Sequence, residues 1–165
     1  LWMRTRGRDR PLTVAGGPGT ASWLMRLLEL GYPGAWTSEK CYPVDVVEFD
    51  AGEPAEIGAL LATNARSEHG VRNLSVSLQD GKHRFCYSGD GAPTAETESL
   101  YANATLLVHE AYYAESSSDS HASVKQVMEM AERVGVTTVH VLHLKRSAAH
   151  PVAIHVPSPG EIVIL

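Results

Sequence analysis

The sequence predicts an α/β fold, because runs typical of buried strands alternate with stretches of helical spacing and with turns rich in glycine and proline. The chain has 165 residues, 44% of them hydrophobic and 20% charged, which is ordinary for one soluble domain with a sizeable core. Polar residues follow several strand-like runs, and α/β sheets place ligand groups at the carboxyl ends of strands. We therefore expect a single domain over residues 1–165 with a functional site at one sheet edge.

The first elements that we expect are a strand, a helix and a second strand. Leu12–Ala15 is typical of a short buried strand, the Gly16–Gly19 turn ends it, and Thr20 can cap a helix that runs to about Leu30. Val44–Phe49 alternates as a strand does. The glycine-rich turn lacks the Gly-Lys-Ser/Thr ending of a phosphate-binding loop, so we do not expect nucleotide binding there.

The middle of the chain has the pattern of strands joined by tight turns. We expect strands over Ile57–Thr63, Val71–Leu78 and Arg84–Tyr87. Asp80-Gly81 marks a hairpin turn between the last two. These strands would then run antiparallel to each other.

The last third of the chain predicts a short helix, a strand, a longer helix and further strands. In order, these are Pro93–Asn103, Thr105–Val108, His121–Val134 and Val136–Leu142, with two short closing strands in Pro151–Leu165. Thr94 can cap the first helix, but Thr97 holds the position that Glu or Gln takes in a capping box, so we expect no full box.

Histidines and carboxylates stand at the ends of these predicted strands. His69 precedes the hairpin and Asp90 follows it, so antiparallel pairing would bring both to one end. His109-Glu110 follows the next strand, His121 opens a helix and His143 ends the last strand. A lone aspartate or histidine in such a place is usually a turn or surface residue. The repetition within one chain favours a shared site with metal or acid–base chemistry.

Four short motifs, in this order, make the chain resemble the metallo-β-lactamase superfamily, and within it the ribonuclease Z branch. The motifs are Tyr87-Ser88-Gly89-Asp90, His109-Glu110-Ala111, His121-Ala122-Ser123 and His143-Leu144-Lys145-Arg146. The resemblance runs from about Pro11 to Arg146 and implies an αββα sandwich. The superfamily's His-x-His-x-Asp-His cluster occurs nowhere in the sequence, and the chain begins with Leu1, so we expect a sandwich that is incomplete at its N-terminus.

The resemblance also implies roles for the site residues. Two zinc ions, or manganese or iron, would share Asp90 as a bridge, with His69 and His143 each serving one ion and the absent cluster supplying further ligands. Such a pair activates water and stabilises an in-line displacement. His121 would then serve the leaving group and Glu110 would orient it, while His109 supports a loop. Only three residues of this chain, His69, Asp90 and His143, would then bind the two ions directly. We therefore expect these 165 residues alone to be inactive.

The implied function is that of a phosphodiesterase whose substrate is a phosphodiester, RNA included. The stretch between Pro33 and His69 is too short to hold an evident arm for transfer RNA, so small phosphodiesters stay open as substrates. Two other functions stay open as well. One is a hydrolase of lactones, thioesters or β-lactams with the same fold, and the other is a non-catalytic remnant of such an enzyme.

Charge and cysteine content suggest the environment and partners. Residues 1–10 form a basic connection ahead of an acidic remainder, and the net charge is −5, so this arm could touch phosphates or simply be solvated. Two cysteines are too few for a disulfide framework, and no apolar run approaches a membrane span, which favours a cytoplasmic protein without a membrane partner. An incomplete sandwich would expose an apolar face, so a homodimer is a further expectation. The arginines of the basic arm are Arg4, Arg6, Arg8 and Arg10, and the two cysteines are Cys41 and Cys86.

Overall fold

A computed structural model describes residues 8, 10–38, 42–116, 118–145 and 154–165. Within these residues the chain forms eight strands and three helices, which confirms the α/β class. It divides into two compact units, residues 1–50 and 51–165. The expectations for Arg4, Arg6, Cys41 and Arg146 lie outside the described residues.

The first unit is a β-α-β arrangement. β1 (Leu12–Gly16) leads through a turn into α1 (Thr20–Gly31), and β2 (Val44–Glu48) pairs with β1 in parallel. The N-cap of α1 is Gly19, with φ of 96°, rather than Thr20. The Thr20 hydroxyl instead donates to the carbonyl of Gly17 at 2.6 Å, so it stabilises the turn and not the free amides of the helix.

The carboxylate of Glu48 occupies the N-terminus of α1. It accepts hydrogen bonds from the backbone N–H of Ala21 at 2.7 Å and of Gly19 at 3.1 Å, and these bonds lower the pKa of Glu48. Helix N-terminal amides are the groups that bind phosphate in nucleotide loops. Because a side chain of the same unit already uses them, the turn is poorly suited to a nucleotide.

The second unit is built on a six-stranded sheet with the order β3-β4-β5-β6-β7-β8. β3 to β6 pair antiparallel, whereas β6, β7 and β8 are parallel. The predicted single strand over Ile57–Thr63 is wrong, because a turn at Gly58, with φ of 61°, divides this segment between two paired strands. The strands are β3 (Ala55–Ile57), β4 (Leu60–Ser67), β5 (Asn73–Gln79), β6 (Arg84–Tyr87), β7 (Leu106–Glu110) and β8 (Thr138–Leu142).

The predicted hairpin between β5 and β6 is present. Its turn is held by Asp80, whose Oδ1 accepts hydrogen bonds from the backbone N–H of His83 at 2.8 Å and of Lys82 at 2.9 Å. These bonds lower the pKa of Asp80 to about 2. Gly81 adopts a φ of 95°, a left-handed conformation that glycine reaches without steric cost.

Two helices connect the parallel strands: α2 (Ala95–Tyr101) joins β6 to β7 and α3 (Val124–Arg133) joins β7 to β8. The expectation that α2 has no full capping box is wrong. The Thr97 hydroxyl accepts from the Thr94 N–H at 2.8 Å, while the Thr94 hydroxyl accepts from the Thr97 N–H at 3.2 Å. A threonine hydroxyl therefore does what a Glu or Gln side chain usually does. None of the helices in the described ranges is long and apolar enough to cross a membrane.

The core of the second unit lies between the sheet and these helices. Its buried members include Cys86, Tyr101, Leu107, Met130 and Val141. Cys86 is fully buried, which confirms that it packs as a small hydrophobic residue.

The predicted closing strands at the C-terminus are wrong for residues 154–165, and residues 151–153 lie outside the described range. This segment makes one isolated parallel bridge, between His155 and His140 of β8. Pro157 and Pro159 have no N–H to donate, and Gly160 has a φ of 83°. The chain therefore turns instead of continuing a ladder.

Candidate metal centre

Five polar side chains of the second unit meet at one edge of the sheet. Asp90 follows β6, Glu110 ends β7 and His143 follows β8, and these three strands are parallel. His69 follows β4, which runs in the direction of β6 because both are antiparallel to β5. His121 lies in the loop ahead of α3. All the residues singled out as metal ligands or catalytic groups are thus brought together.

Asp90 lies at the middle of the cluster, with its two oxygens facing different histidines. Oδ1 is 2.8 Å from Nδ1 of His143 and 3.5 Å from Nδ1 of His121. Oδ2 is 3.7 Å from Nε2 of His69. A carboxylate that presents each oxygen to a different ligand has the geometry needed to bridge two ions.

Glu110 is the most buried acid of the cluster, with 2% of its side chain exposed. Its Oε1 accepts a hydrogen bond from the backbone N–H of Ala122 at 2.8 Å. Its Oε2 faces Nδ1 of His121 at 3.5 Å and Nδ1 of His143 at 3.8 Å. One ligand atom from each of Asp90, Glu110, His121 and His143 lies within 4.8 Å of the others.

The unpaired atoms of this cluster fit a cation. Oδ1 of Asp90, Oε2 of Glu110 and Nδ1 of His121 are buried and have no hydrogen-bond partner among the described residues. The close approach of His143 to Asp90 Oδ1 does not have hydrogen-bond geometry. Buried polar atoms without partners are costly, and imidazole nitrogens with carboxylate oxygens form a donor set that suits zinc. A metal ion on Oδ1 of Asp90, together with a hydrogen bond between Nδ1 of His121 and Oε2 of Glu110, would satisfy all three atoms.

The loops that carry these side chains are tied to each other by backbone hydrogen bonds. Glu68 and Ala92, which neighbour His69 and the Asp90 loop, exchange a pair of backbone hydrogen bonds of 3.0 and 2.8 Å. The side chain of Asn73 accepts from the Asp90 N–H at 3.2 Å and donates to the Ser88 carbonyl at 3.0 Å. Both ends of the β4–β5 connection, at Glu68 and at Asn73, are therefore hydrogen-bonded to the segment that carries Asp90.

Ser88 and Gly89 couple Asp90 to Glu110. The Ser88 hydroxyl accepts a hydrogen bond from the backbone N–H of Glu110 at 2.9 Å. Gly89 has a φ of 68°, and a Cβ at this position would collide with the side chain of Asn73. The sequence analysis did not identify Asn73, because its role depends on contacts with residues 15 and 17 positions further along the chain.

His143 has two unusual features. Its φ is 58°, a left-handed conformation that is uncommon outside glycine and that clusters at functional sites. Its ring packs 5.5 Å from the ring of Tyr112, which also lies 5.5 Å from the ring of His121. Tyr112 therefore restricts the orientation of both imidazoles. It follows Ala111 of the second motif directly, and no sequence signal distinguished it from an ordinary aromatic residue.

His109 and His140 lie outside this cluster. His109 is fully buried, Nδ1 lies 2.6 Å from the carbonyl of Glu110, and burial lowers its pKa to about 4, so the ring is neutral. His109 lies within β7. His140 is buried in β8, where its ring contacts His155.

The chain belongs to the family described as the beta-lactamase superfamily domain, whose model matches residues 2–144. Ribonuclease Z of Methanothermobacter thermautotrophicus is 24% identical, with 86% of this chain and 62% of the relative covered. Ribonuclease Z of Mycobacterium sp. strain KMS is 25% identical, with 86% and 57% covered. The chain thus spans about 60% of the length of these curated relatives.

Solved structures show the same fold. The metallo-beta-lactamase fold protein YhfI from Bacillus subtilis superposes with a TM-score of 0.67 at 19% identity, covering 84% of this chain and 54% of that one. Human tRNase Z, short form, gives a TM-score of 0.65 at 17% identity, covering 84% and 63%. The resemblance to the metallo-β-lactamase superfamily and its ribonuclease Z-like branch, and the fold type that it implied, are confirmed.

Proposed function

We propose that the cluster is part of a dinuclear metal site, and that the protein is a hydrolase of the ribonuclease Z type that cleaves phosphodiesters. The observation that carries this proposal is the meeting of Asp90, Glu110, His121 and His143, with three buried polar atoms unpaired. The curated relatives are named ribonuclease Z, which supports a phosphodiester substrate.

In this proposal Asp90 bridges two ions, and His69 and His143 hold one ion each. Asp90 directs a different carboxylate oxygen to each of these histidines, which supports the arrangement. Zinc is the metal proposed, with manganese or iron as alternatives, because the donors are imidazole nitrogens and carboxylate oxygens. When bound, the metal pair would supply an activated water and stabilise charge on the phosphoryl oxygens.

His121 and Glu110 provide the acid–base chemistry in this proposal. Glu110 is fixed by the Ala122 N–H, so its free oxygen Oε2 can hold the Nδ1–H of His121. This contact would set the tautomer of the imidazole and leave Nε2 to deliver a proton to the departing oxygen. The same carboxylate would stabilise the protonated ring.

Two observations bear on the proposed substrate class, the name of the relatives and the length of chain around the cluster. RNA is the substrate suggested by the relatives' name, ribonuclease Z. Among the described residues from 33 to 69, however, β2, β3 and β4 take up close to half, which leaves little length for an arm that grips RNA. We therefore propose that small phosphodiesters are also turned over.

The experiment uses the natural full-length protein with metal analysis and a chromogenic phosphodiester, beside a lactone and a β-lactam. Asp90→Ala should lose both metals of this cluster and the activity. His121→Ala should keep its metals and lose turnover by about a hundredfold or more. His83→Ala, in the turn on the β5–β6 hairpin, is the control and should match the wild type.

Three results would contradict the proposal. Equal metal loss in the Asp90 and His121 variants would remove the distinction between ligand and proton donor. Preferred turnover of the lactone or β-lactam would favour the other hydrolase function. Absence of any turnover with metals bound would favour a non-catalytic remnant. The 165-residue chain alone should show no phosphodiester turnover, since the relatives' His-x-His-x-Asp-His ligands are not in its sequence.

A further inference from the structure

We propose that the chain carries a second, separate metal site, formed by His140, His155 and Glu161, which binds a zinc ion and fastens residues 154–165 to the edge of the sheet. One ligand atom from each of the three lies within 4.8 Å of the others. The group shares no residue with the Asp90 cluster. The proposal does not depend on the phosphodiesterase activity.

The backbone places two of the three ligands side by side. β8 is the last strand of the described sheet, and His155 lies opposite His140 in an isolated parallel bridge. The N–H of Val141 donates to the carbonyl of His155 at 2.9 Å. Directly opposed residues project their side chains to the same face of a sheet, and the two ring centroids are 4.2 Å apart.

The third ligand is delivered by a turn. The N–H of Glu161 donates to the carbonyl of Ser158 at 3.0 Å, and the Ser158 N–H donates back to Oε2 of Glu161 at 2.9 Å. The other oxygen, Oε1, lies 2.6 Å from Nε2 of His155. One carboxylate oxygen is thus anchored to backbone while the other points at the histidine pair, as expected for a supported metal ligand.

His140 is the reason to infer a ligand beyond a simple histidine–glutamate pair. Its side chain belongs to a residue that is only 6% exposed, and no hydrogen bond to its ring is found among the described residues. An ion bound between this ring, His155 and Glu161 would give the imidazole a polar partner that the described residues do not supply.

The donor set selects the class of metal. Two imidazole nitrogens and one carboxylate oxygen, with a position left for water, suit tetrahedral zinc. Calcium and magnesium prefer all-oxygen sites. Besides the packing of Ile154 on the core and the His155–His140 bridge, the ion would fasten the turn at Glu161 to β8, so we infer that it acts as a clasp for this segment.

The test uses the 165-residue chain with Asp90→Ala and His143→Ala, so that the first cluster loses two of its ligands. Stripped with chelator and titrated with Zn²⁺, this variant should bind one ion per chain. Adding Glu161→Gln or His155→Asn should weaken binding by about a hundredfold or more. Both changes are at partly exposed side chains, which avoids the folding risk of replacing His140.

A second measurement reports the clasp itself. Hydrogen exchange of residues 154–165 should slow when Zn²⁺ is added, and Glu161→Gln should abolish this protection. His83→Gln is the matched control, because His83 also pairs with a carboxylate, Asp80 at 3.4 Å, but is in no three-residue group. Absence of Zn²⁺ binding in the starting variant, equal binding in the Glu161→Gln variant, or unchanged exchange with Zn²⁺ bound would overturn the proposal.

Discussion

Replacing Glu110 by glutamine should stabilise the metal-free protein and leave its metal binding in place. Ligand oxygens of Glu110 and Asp90 lie within 4.8 Å of each other, and Glu110 is 2% exposed. Two ionised carboxylates at this separation repel each other. Over this distance the repulsion is about 1 kcal/mol at the dielectric constant of water and about 3 kcal/mol at an effective value of 20. Asp90 is half exposed, which favours the lower figure.

Glutamine keeps the carbonyl oxygen that accepts from the Ala122 N–H, so the hydrogen bond of 2.8 Å survives the change. We therefore expect the melting temperature in excess chelator to rise by about 2–4 °C, the shift that about 1 kcal/mol gives in a chain of this size. Glu110→Ala removes the acceptor as well. It should destabilise the metal-free protein by about 1–3 kcal/mol, because the buried N–H loses its partner.

The assay is thermal unfolding at pH 8, with excess chelator and with Zn²⁺. Zn²⁺ should raise the melting temperature of the wild type and of Glu110→Gln alike, because a bound ligand stabilises the folded state and Glu110 is not one of the proposed metal ligands. Glu56→Gln, on the exposed part of β3, is the surface control and should change stability by less than about 0.5 kcal/mol. If Glu110→Gln in chelator melts at or below Glu110→Ala, the unpaired oxygen is not under electrostatic strain and the reasoning fails.

Three further predictions concern pH, backbone conformation and association. The pKa of His109 is about 4 in the folded chain, below its ordinary value of 6.5, so the unfolded state takes up a proton first as the pH falls. The protein should lose about 3 kcal/mol of stability between pH 6.5 and 4, and a His109→Gln variant with the same slope would refute this. His143→Val should be less stable than His143→Asn by about 1 kcal/mol or more in chemical denaturation, because a β-branched residue resists a φ of 58°, and equal stabilities would contradict the left-handed backbone. The chain should self-associate through α1, where Trp23 is 64% and Leu30 is 85% exposed, so changing both to lysine should lower the mass measured by sedimentation; an unchanged mass would exclude this helix.

The placement of the site could be read from the sequence because strand ends are local signals. Glycine breaks the apolar run ahead of Asp90, and parallel strands bring their carboxyl ends to one edge. His69 could be placed from the hairpin alone, and it does lie 3.7 Å from Asp90. These inferences need only the direction of each strand, not the packing of side chains.

The supporting residues could not be read in the same way. Asn73 forms hydrogen bonds with Ser88 and Asp90 across a hairpin. An asparagine at the start of a strand has no sequence pattern that predicts such bonds. The strand error over residues 57–63 has a similar cause. Apolar residues lie on both sides of Gly58, Ile57 before it and residues 59–62 after it, so the hydrophobic pattern alone does not show the turn.

Proximity alone does not decide which residues bind metal and which one donates a proton. One ligand atom from each of four residues lies within 4.8 Å of the others. Glu110 has one oxygen committed to the Ala122 N–H, and its other oxygen is nearer to His121, at 3.5 Å, than to His143, at 3.8 Å. A carboxylate with a single free oxygen aimed at one imidazole is suited to orient that ring. Asp90 instead turns its two oxygens to different histidines. This contrast argues for Asp90 as the bridge and for Glu110 and His121 as the acid–base pair, so Glu110→Gln should reduce turnover in proportion to His121→Ala even when metal is supplied in excess.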